Sequence, residues 1–498
     1  MSFRRPTHVL GLFGTILKWF SLVFLVPLAF ALGHGTPLIP FLVPLALALI
    51  LGLVLERIFP ETDLEMADGF LLVVLTWFGV SFLGAIPYVL SGIGTLANPV
   101  NAFFESVSGF TCTGSTVMGV ISLEKYPHSV MIWRQLTQWL EGMGILVLAV
   151  AILPRLAVGG TQFLDFEMSG HQVDRLTPHM AATARRLWVL YVGLSVLLFL
   201  ILLGLHYTGV DTLMDPFQAL AHVLTTIPSG GFSPMGDSMG AFSAAVQWVI
   251  IPFMWVAAVN FALMWRALFA GPRVFWEDTE WKVYTGLFLG VGLALSLVLI
   301  AHGQFETVEE NLRHGFFQMA TFLTTTGFAS TDFALWSGDA LALLVLLMFI
   351  AGCVGSTSGG LKVMRWIVVV KAVVREMIQQ VHPSSVQPLR MGARPLKENV
   401  IRGAIMVVLA YFLLFGLSLI LISVDARIAG LNVTAVDVTT SITATLGNIG
   451  PGFGAVGPME NFEFFPPLTK IWMCFLMIAG RLEIMTLLVV MMPMYWRE

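Results

Sequence analysis

Thr111-Cys112-Thr113-Gly114 closes a run of apolar and small residues that begins near Ala102. The pattern returns at Thr324-Thr325-Thr326-Gly327. With Gly114 set on Gly327, Phe103/Phe316, Phe104/Phe317, Ser108/Thr321, Thr111/Thr324 and Thr113/Thr326 coincide without a gap. Looser copies are Ser229-Gly230-Gly231-Phe232 and Asn448-Ile449-Gly450-Pro451-Gly452. The chemistry these residues suit is cation coordination. Glycine permits backbone angles that turn carbonyls toward a common axis. A ring of carbonyl oxygens can replace the hydration shell of a potassium ion, and threonine hydroxyls offer further oxygens. One glycine turn after a short apolar run is ordinarily a buried loop end. Four of them, each between longer apolar runs, read as four re-entrant loops building one filter. The candidate potassium-binding residues are Thr111, Cys112, Thr113, Gly114, Ser229, Gly230, Gly231, Thr325, Thr326, Gly327, Asn448, Ile449 and Gly450.

The elements that must hold such loops follow from composition. Of 498 residues, 57% are hydrophobic and 11% charged, with a mean hydropathy of +0.86. A soluble domain carries about 25% charge, so the chain reads as a polytopic helical membrane protein. The net charge of −4 constrains little. Cys112, Cys353 and Cys474 lack CxxC spacing, which leaves no disulfide framework or zinc site to propose. Ten stretches can cross a ~30 Å core at ~20 residues each: 9–32, 37–56, 68–91, 130–154, 185–208, 244–269, 281–302, 339–378 (interrupted), 400–423 and 469–493. Four runs between them, 100–111, 214–226, 309–325 and 434–447, are too short to span and read as half-helices.

The expected architecture is therefore all-α: a two-helix hairpin, 1–60, retained rather than cleaved as a signal peptide, and four tandem helix–pore loop–helix repeats around a single pore. The repeats are placed at 61–160, 161–270, 271–398 (with a broken second helix) and 399–498. Lys and Arg placement, including Arg4, Arg5, Arg185, Arg186, Arg266 and Arg273, puts both termini in the cytoplasm. The loops then enter from the outside, where Asp215, Asp237, Glu309, Glu310, Asp437 and Glu460 would concentrate cations.

Two features suit a gate. Gly352, Gly355, Ser356, Thr357, Ser358, Gly359 and Gly360 interrupt the eighth span with residues that do not hold a helix, so an irregular cavity-lining loop is expected, against a plain break between two helices. Arg481 falls midway along the tenth span, where a charge is costly and by default functional. A pore-facing cation is the expectation, against an ion pair with an acid from another helix. Glu483 is a poor local partner, since i,i+2 positions do not face each other, and Glu141 in the fourth span has no assigned role. No HExxH motif, Ser/His dyad or metal cluster is visible, so no enzyme is expected, and the lone His222 reads as a packed residue.

Residues 104–116, 229–233, 324–328, 355–362, 447–454 and 480–483 together resemble TrkH-type potassium transporters of the Trk/Ktr/HKT superfamily, over nearly the whole chain. The resemblance implies potassium-selective uptake across the bacterial inner membrane by a homodimer with one pore per subunit. It implies filter glycines at Gly114, Gly231 (or Gly230), Gly327 and Gly450, a gate loop at 352–360, and a pore-facing Arg481. It also implies a cytosolic nucleotide-binding ring protein of the TrkA type as regulatory partner, with no organic cofactor in this chain. Symport of potassium with a proton or sodium ion is the alternative, motivated by Glu141. Cys112, Pro228-Ser229 and Glu141 depart from the family's usual residues.

Overall fold

The computed structural model describes residues 7–59, 66–151, 177–385, 387–392 and 394–497. The expected repeat boundaries at 60/61 and 160/161 lie outside these residues. An opening hairpin pairs Val9–Gly33 with Ile39–Ile58. Its helices meet backbone to backbone, since a Cβ on Gly14 would lie 2.8 Å from the Gly52 carbonyl, as small residues allow in membranes. Lys18, a charge inside the first span, bonds Glu56 of the second at 2.6 Å.

Helices Ala67–Ser91, Thr183–Tyr207, Thr279–Ala301 and Glu398–Ile428 are each long and apolar enough to cross a membrane, and each leads into one of the four half-helices. Leu200, Leu413 and Ile420 on these helices are 59, 66 and 64% exposed. Such faces are stable against lipid and not against water. The half-helices are Pro99–Phe110, Pro216–Thr226, Val308–Leu323 and Ala435–Leu446. Each starts on a side-chain cap: Asn98, Asp215, and full capping boxes Thr307/Glu310 and Thr434/Asp437. The Thr307 backbone amide and hydroxyl hold the Glu310 carboxyl below its ordinary value, and a bond from Arg313 does the same for Glu309. Both acids thus stay ionised at the positive end of the helix dipole.

The helices that leave the loops differ from expectation in two places. The stretch 244–269 is not one span: Ala244–Ala257 and Phe261–Ala270 meet at 96°. The stretch 469–493 likewise splits into Pro467–Arg481 and Met485–Met491 at 117°. Asn260 forces the first break by capping a new helix through the Leu263 amide. At the second, Glu483 and Ile484 adopt φ of 61° and 57°, a conformation that costs non-glycine residues about 1–3 kcal/mol. The Arg365–Glu483 ion pair at 2.6 Å and the Ile484 amide's bond to the Ala479 carbonyl hold the chain there. The expected interruption of the eighth span divides Gly338–Leu347 from Val363–Val381. Three of the four outgoing helices are therefore broken. The first, His128–Ala151, is continuous.

Candidate ion filter and gate

The four loops leave their half-helices by one shared geometry. The residue two before each filter glycine has positive φ: Cys112 (48°), Ser229 (58°), Thr325 (56°) and Asn448 (52°). The glycines follow at 83°, 74°, 85° and 109° for Gly114, Gly231, Gly327 and Gly450. The intervening amides of Thr113, Gly230, Thr326 and Ile449 donate back to the carbonyls of Ser108, Thr225, Thr321 and Ala444 at 2.8–2.9 Å. This is the left-handed helix cap that glycine or a tolerant polar residue permits.

The glycines also fix the loops relative to one another. A Cβ on Gly114 would meet the Gly230 carbonyl oxygen, one on Gly231 that of Thr326, one on Gly327 that of Ile449, and one on Gly450 that of Thr113. The succession runs from loop one to two to three to four and back to one. Four carbonyls, of Thr113, Gly230, Thr326 and Ile449, therefore close a ring with no room for side chains between them. All four glycines line one open vestibule, together with Arg134, Ser233 and Glu460.

The threonine hydroxyls, expected to add oxygens to the ion path, are used to tie the loops. Thr111 Oγ1 donates to the Val107 carbonyl (2.8 Å) and lies 2.6 Å from Thr113 Oγ1. Thr324 and Thr326 repeat this at 2.7 Å. Asn448 Nδ2 donates to Thr113 Oγ1 and to the Met477 carbonyl, both at 2.9 Å. Cys112 is buried, with Sγ against the Gln138 carbonyl at 3.3 Å.

The glycine-rich stretch lies against the ends of three filter loops. Thr357 Oγ1 is 2.9 Å from Ser229 Oγ and donates to the Ile227 and Ala257 carbonyls. The Gly359 amide donates to Thr325 Oγ1 at 2.8 Å. A Cβ on Gly359 would come 2.5 Å from that of Asn448, and one on Gly352 would come 2.8 Å from the Ala258 carbonyl. Gly355 and Gly360 have φ of 72° and 60°. Internally, Ser356 Oγ bonds the Cys353 carbonyl (2.6 Å) and Ser358 Oγ (2.8 Å), and Lys362 Nζ bonds the Ser358 carbonyl.

Arg481 reaches this loop: Nη1 donates to the Thr357 carbonyl at 2.7 Å. Its Nε donates to Glu141 Oε1 at 2.6 Å and its Nη2 to Glu141 Oε2. Arg481 is thus not a free cation. It is one half of a buried, two-pronged ion pair, and the acid left without a role is the other half. Glu483, two residues on, serves Arg365 instead.

Sequence reasoning missed a second layer. The residue nine before each filter glycine is polar: Glu105, His222, Gln318 and Ser441, all buried. The first three reach a hydroxyl just past the filter. Glu105 accepts from Thr116 Oγ1, His222 Nε2 lies 3.0 Å from Ser233 Oγ, and Gln318 Nε2 donates to Ser330 Oγ. Arg134, which falls in the expected 130–154 span, bonds Glu105 at 2.6 Å and the Ser233 carbonyl at 2.9 Å. The available signal was a polar residue recurring at one offset inside four apolar runs.

Repeated pore loops converging on one ring of carbonyls, in a bundle of lipid-facing helices, define a membrane cation-transport protein. Comparison with known proteins agrees. The TrkH family, described as cation transport proteins, matches residues 45–498. The Trk system potassium uptake protein TrkH of Salmonella typhimurium is 36% identical over the full length of both chains, and that of Halomonas elongata is 34% identical over the same extent. The crystal structure of the potassium transporter TrkH from Vibrio parahaemolyticus superposes with a TM-score of 0.86 at 32% identity, covering 99% of each chain. The chain belongs to the TrkH family.

Proposed function

We propose that this chain is the pore of a potassium-uptake system of the bacterial inner membrane. The closed ring formed by the Thr113, Gly230, Thr326 and Ile449 carbonyls is the observation that supports the reading. Potassium enters the vestibule, exchanges water for these oxygens, and meets the 352–360 loop beneath them. Each half-helix directs the negative end of its dipole at this point. Arg481, oriented by Glu141, clamps the loop through the Thr357 carbonyl, and flux requires that clamp to yield. The release is the work of a cytosolic TrkA-type ring acting on a homodimer, with both termini of each chain on the cytoplasmic side. Coupling to a proton or sodium ion was motivated by Glu141. Both Glu141 oxygens are taken by the Arg481 guanidinium, which leaves neither open to a coupling ion and favours uncoupled flow.

The test is rubidium uptake in a strain lacking its own potassium uptake, with and without sodium. Uptake competed by potassium and indifferent to sodium is expected; uptake that needs sodium overturns the uncoupled reading. Deleting residues 355–359 should raise uptake per folded protein severalfold, because the deletion removes the contacts with Ser229, Thr325 and Arg481. A folded deletion that transports no faster makes the loop a connector.

A further inference from the structure

Gln138 stands out among the buried polar groups to which the filter and gate readings assign no role. It lies on the His128–Ala151 helix between Arg134 and Glu141, on one face at helical spacing, and is fully buried. Its Nε2 donates to the Gly230 carbonyl at 2.6 Å, and its Oε1 accepts from the Phe232 amide at 3.1 Å. It therefore grips loop two on both sides of Gly231.

The need for this grip lies in loop two itself. In loops one and three the residues three and one before the filter glycine are threonines whose hydroxyls bond each other, Thr111 to Thr113 and Thr324 to Thr326. In loop four the residue before the glycine is Ile449, whose side chain is fully buried. Loop two has Pro228 and Gly230 at these two positions, so no side chain of its own anchors its ring carbonyl. The space a Gly230 side chain would occupy is filled by Gln138: a Cβ built there would lie 2.9 Å from Gln138 Cγ and closer still to its amide carbon and oxygen.

We propose that Gln138 is a specificity-determining residue, supplying from a neighbouring helix the anchor that Gly230 lacks and fixing how far the Gly230 carbonyl projects toward the ion. This rests on the reading of the loops as a potassium filter. A carbonyl held by the amide of a side chain on a neighbouring helix cannot move inward to serve a smaller ion. Released, it can close on sodium, and the preference set by the ring falls.

The experiment measures sodium competition against rubidium uptake, per folded protein, for Gln138→Leu and for Gly230→Ala. The first keeps bulk and removes both hydrogen bonds; the second leaves Gln138 in place but pushes it off the loop. Both should lower discrimination against sodium about tenfold. The double variant Gly230→Thr/Gln138→Ala, which returns a side chain to loop two and vacates the space for it, should recover part of that loss. A purely structural role would lower protein yield and uptake while leaving the ion preference unchanged. Parental selectivity in both folded single variants overturns the proposal for Gln138. If the parent itself does not distinguish potassium from sodium, the filter reading fails instead.

Discussion

Replacing Glu141 with alanine will destabilise the protein by about 3–5 kcal/mol, the cost of leaving one member of a buried ion pair without its partner. It will also slow potassium entry. Glu141 and Arg481 have side chains 1% and 0% exposed, so the guanidinium left behind is an unpaired cation held against the Thr357 carbonyl of the 352–360 loop. At ~5 Å and an effective dielectric near 20, a unit charge repels potassium by about 3 kcal/mol, roughly a hundredfold in occupancy. Arg481→Gln should lose comparable stability and change flux in the opposite direction, because the cation and its clamp on the Thr357 carbonyl are then both gone. The double variant Glu141→Gln/Arg481→Met should recover most of the stability and transport faster than the parent. Thermal unfolding of the purified protein and rubidium uptake per folded protein separate the two contributions. If both single variants lower flux, the pair is a structural brace and not part of the gate.

Substitutions at the filter glycines will rank by what a side chain would strike. Gly231→Ala and Gly327→Ala place a methyl group into the Thr326 and Ile449 carbonyl oxygens, at φ of 74° and 85°. No rotamer relieves a clash between Cβ and backbone, so each should cost at least tenfold in rubidium uptake and weaken discrimination against sodium. Gly114→Ser meets the Gly230 carbonyl at 2.5 Å and belongs with them. At Gly450 the nearest atom is the Thr113 carbonyl oxygen at 3.0 Å, so Gly450→Ala should be the mildest of the four. Equal losses at all four positions in folded protein would show that left-handed backbone strain, rather than closure of the ring, sets the effect.

Both sets of variants probe contacts between distant parts of the chain, and that is where the sequence stops being legible. By itself it determined the class of protein, the half-helices and the place where each loop turns. These depend on local physics: apolar length against bilayer thickness, capping residues at helix starts, and glycine where φ must be positive. The offset that aligns Gly114 with Gly327 is visible for the same reason, because a repeated local conformation demands repeated residue types.

Tertiary structure alone decided what the buried charges do. Arg481 and Glu141 are 340 residues apart, and nothing local distinguishes a pore-facing arginine from one held by a carboxylate on another repeat. The choice depends on the register between helices, which packing sets. The break at Glu483 has the same origin, since its carboxylate is held by Arg365. So does the anchoring of Gly230, whose missing side chain is supplied by Gln138 across 92 residues. The sequence could mark Gly230 as a position where backbone must come close. Only the packed helices could show which side chain occupies the space it leaves.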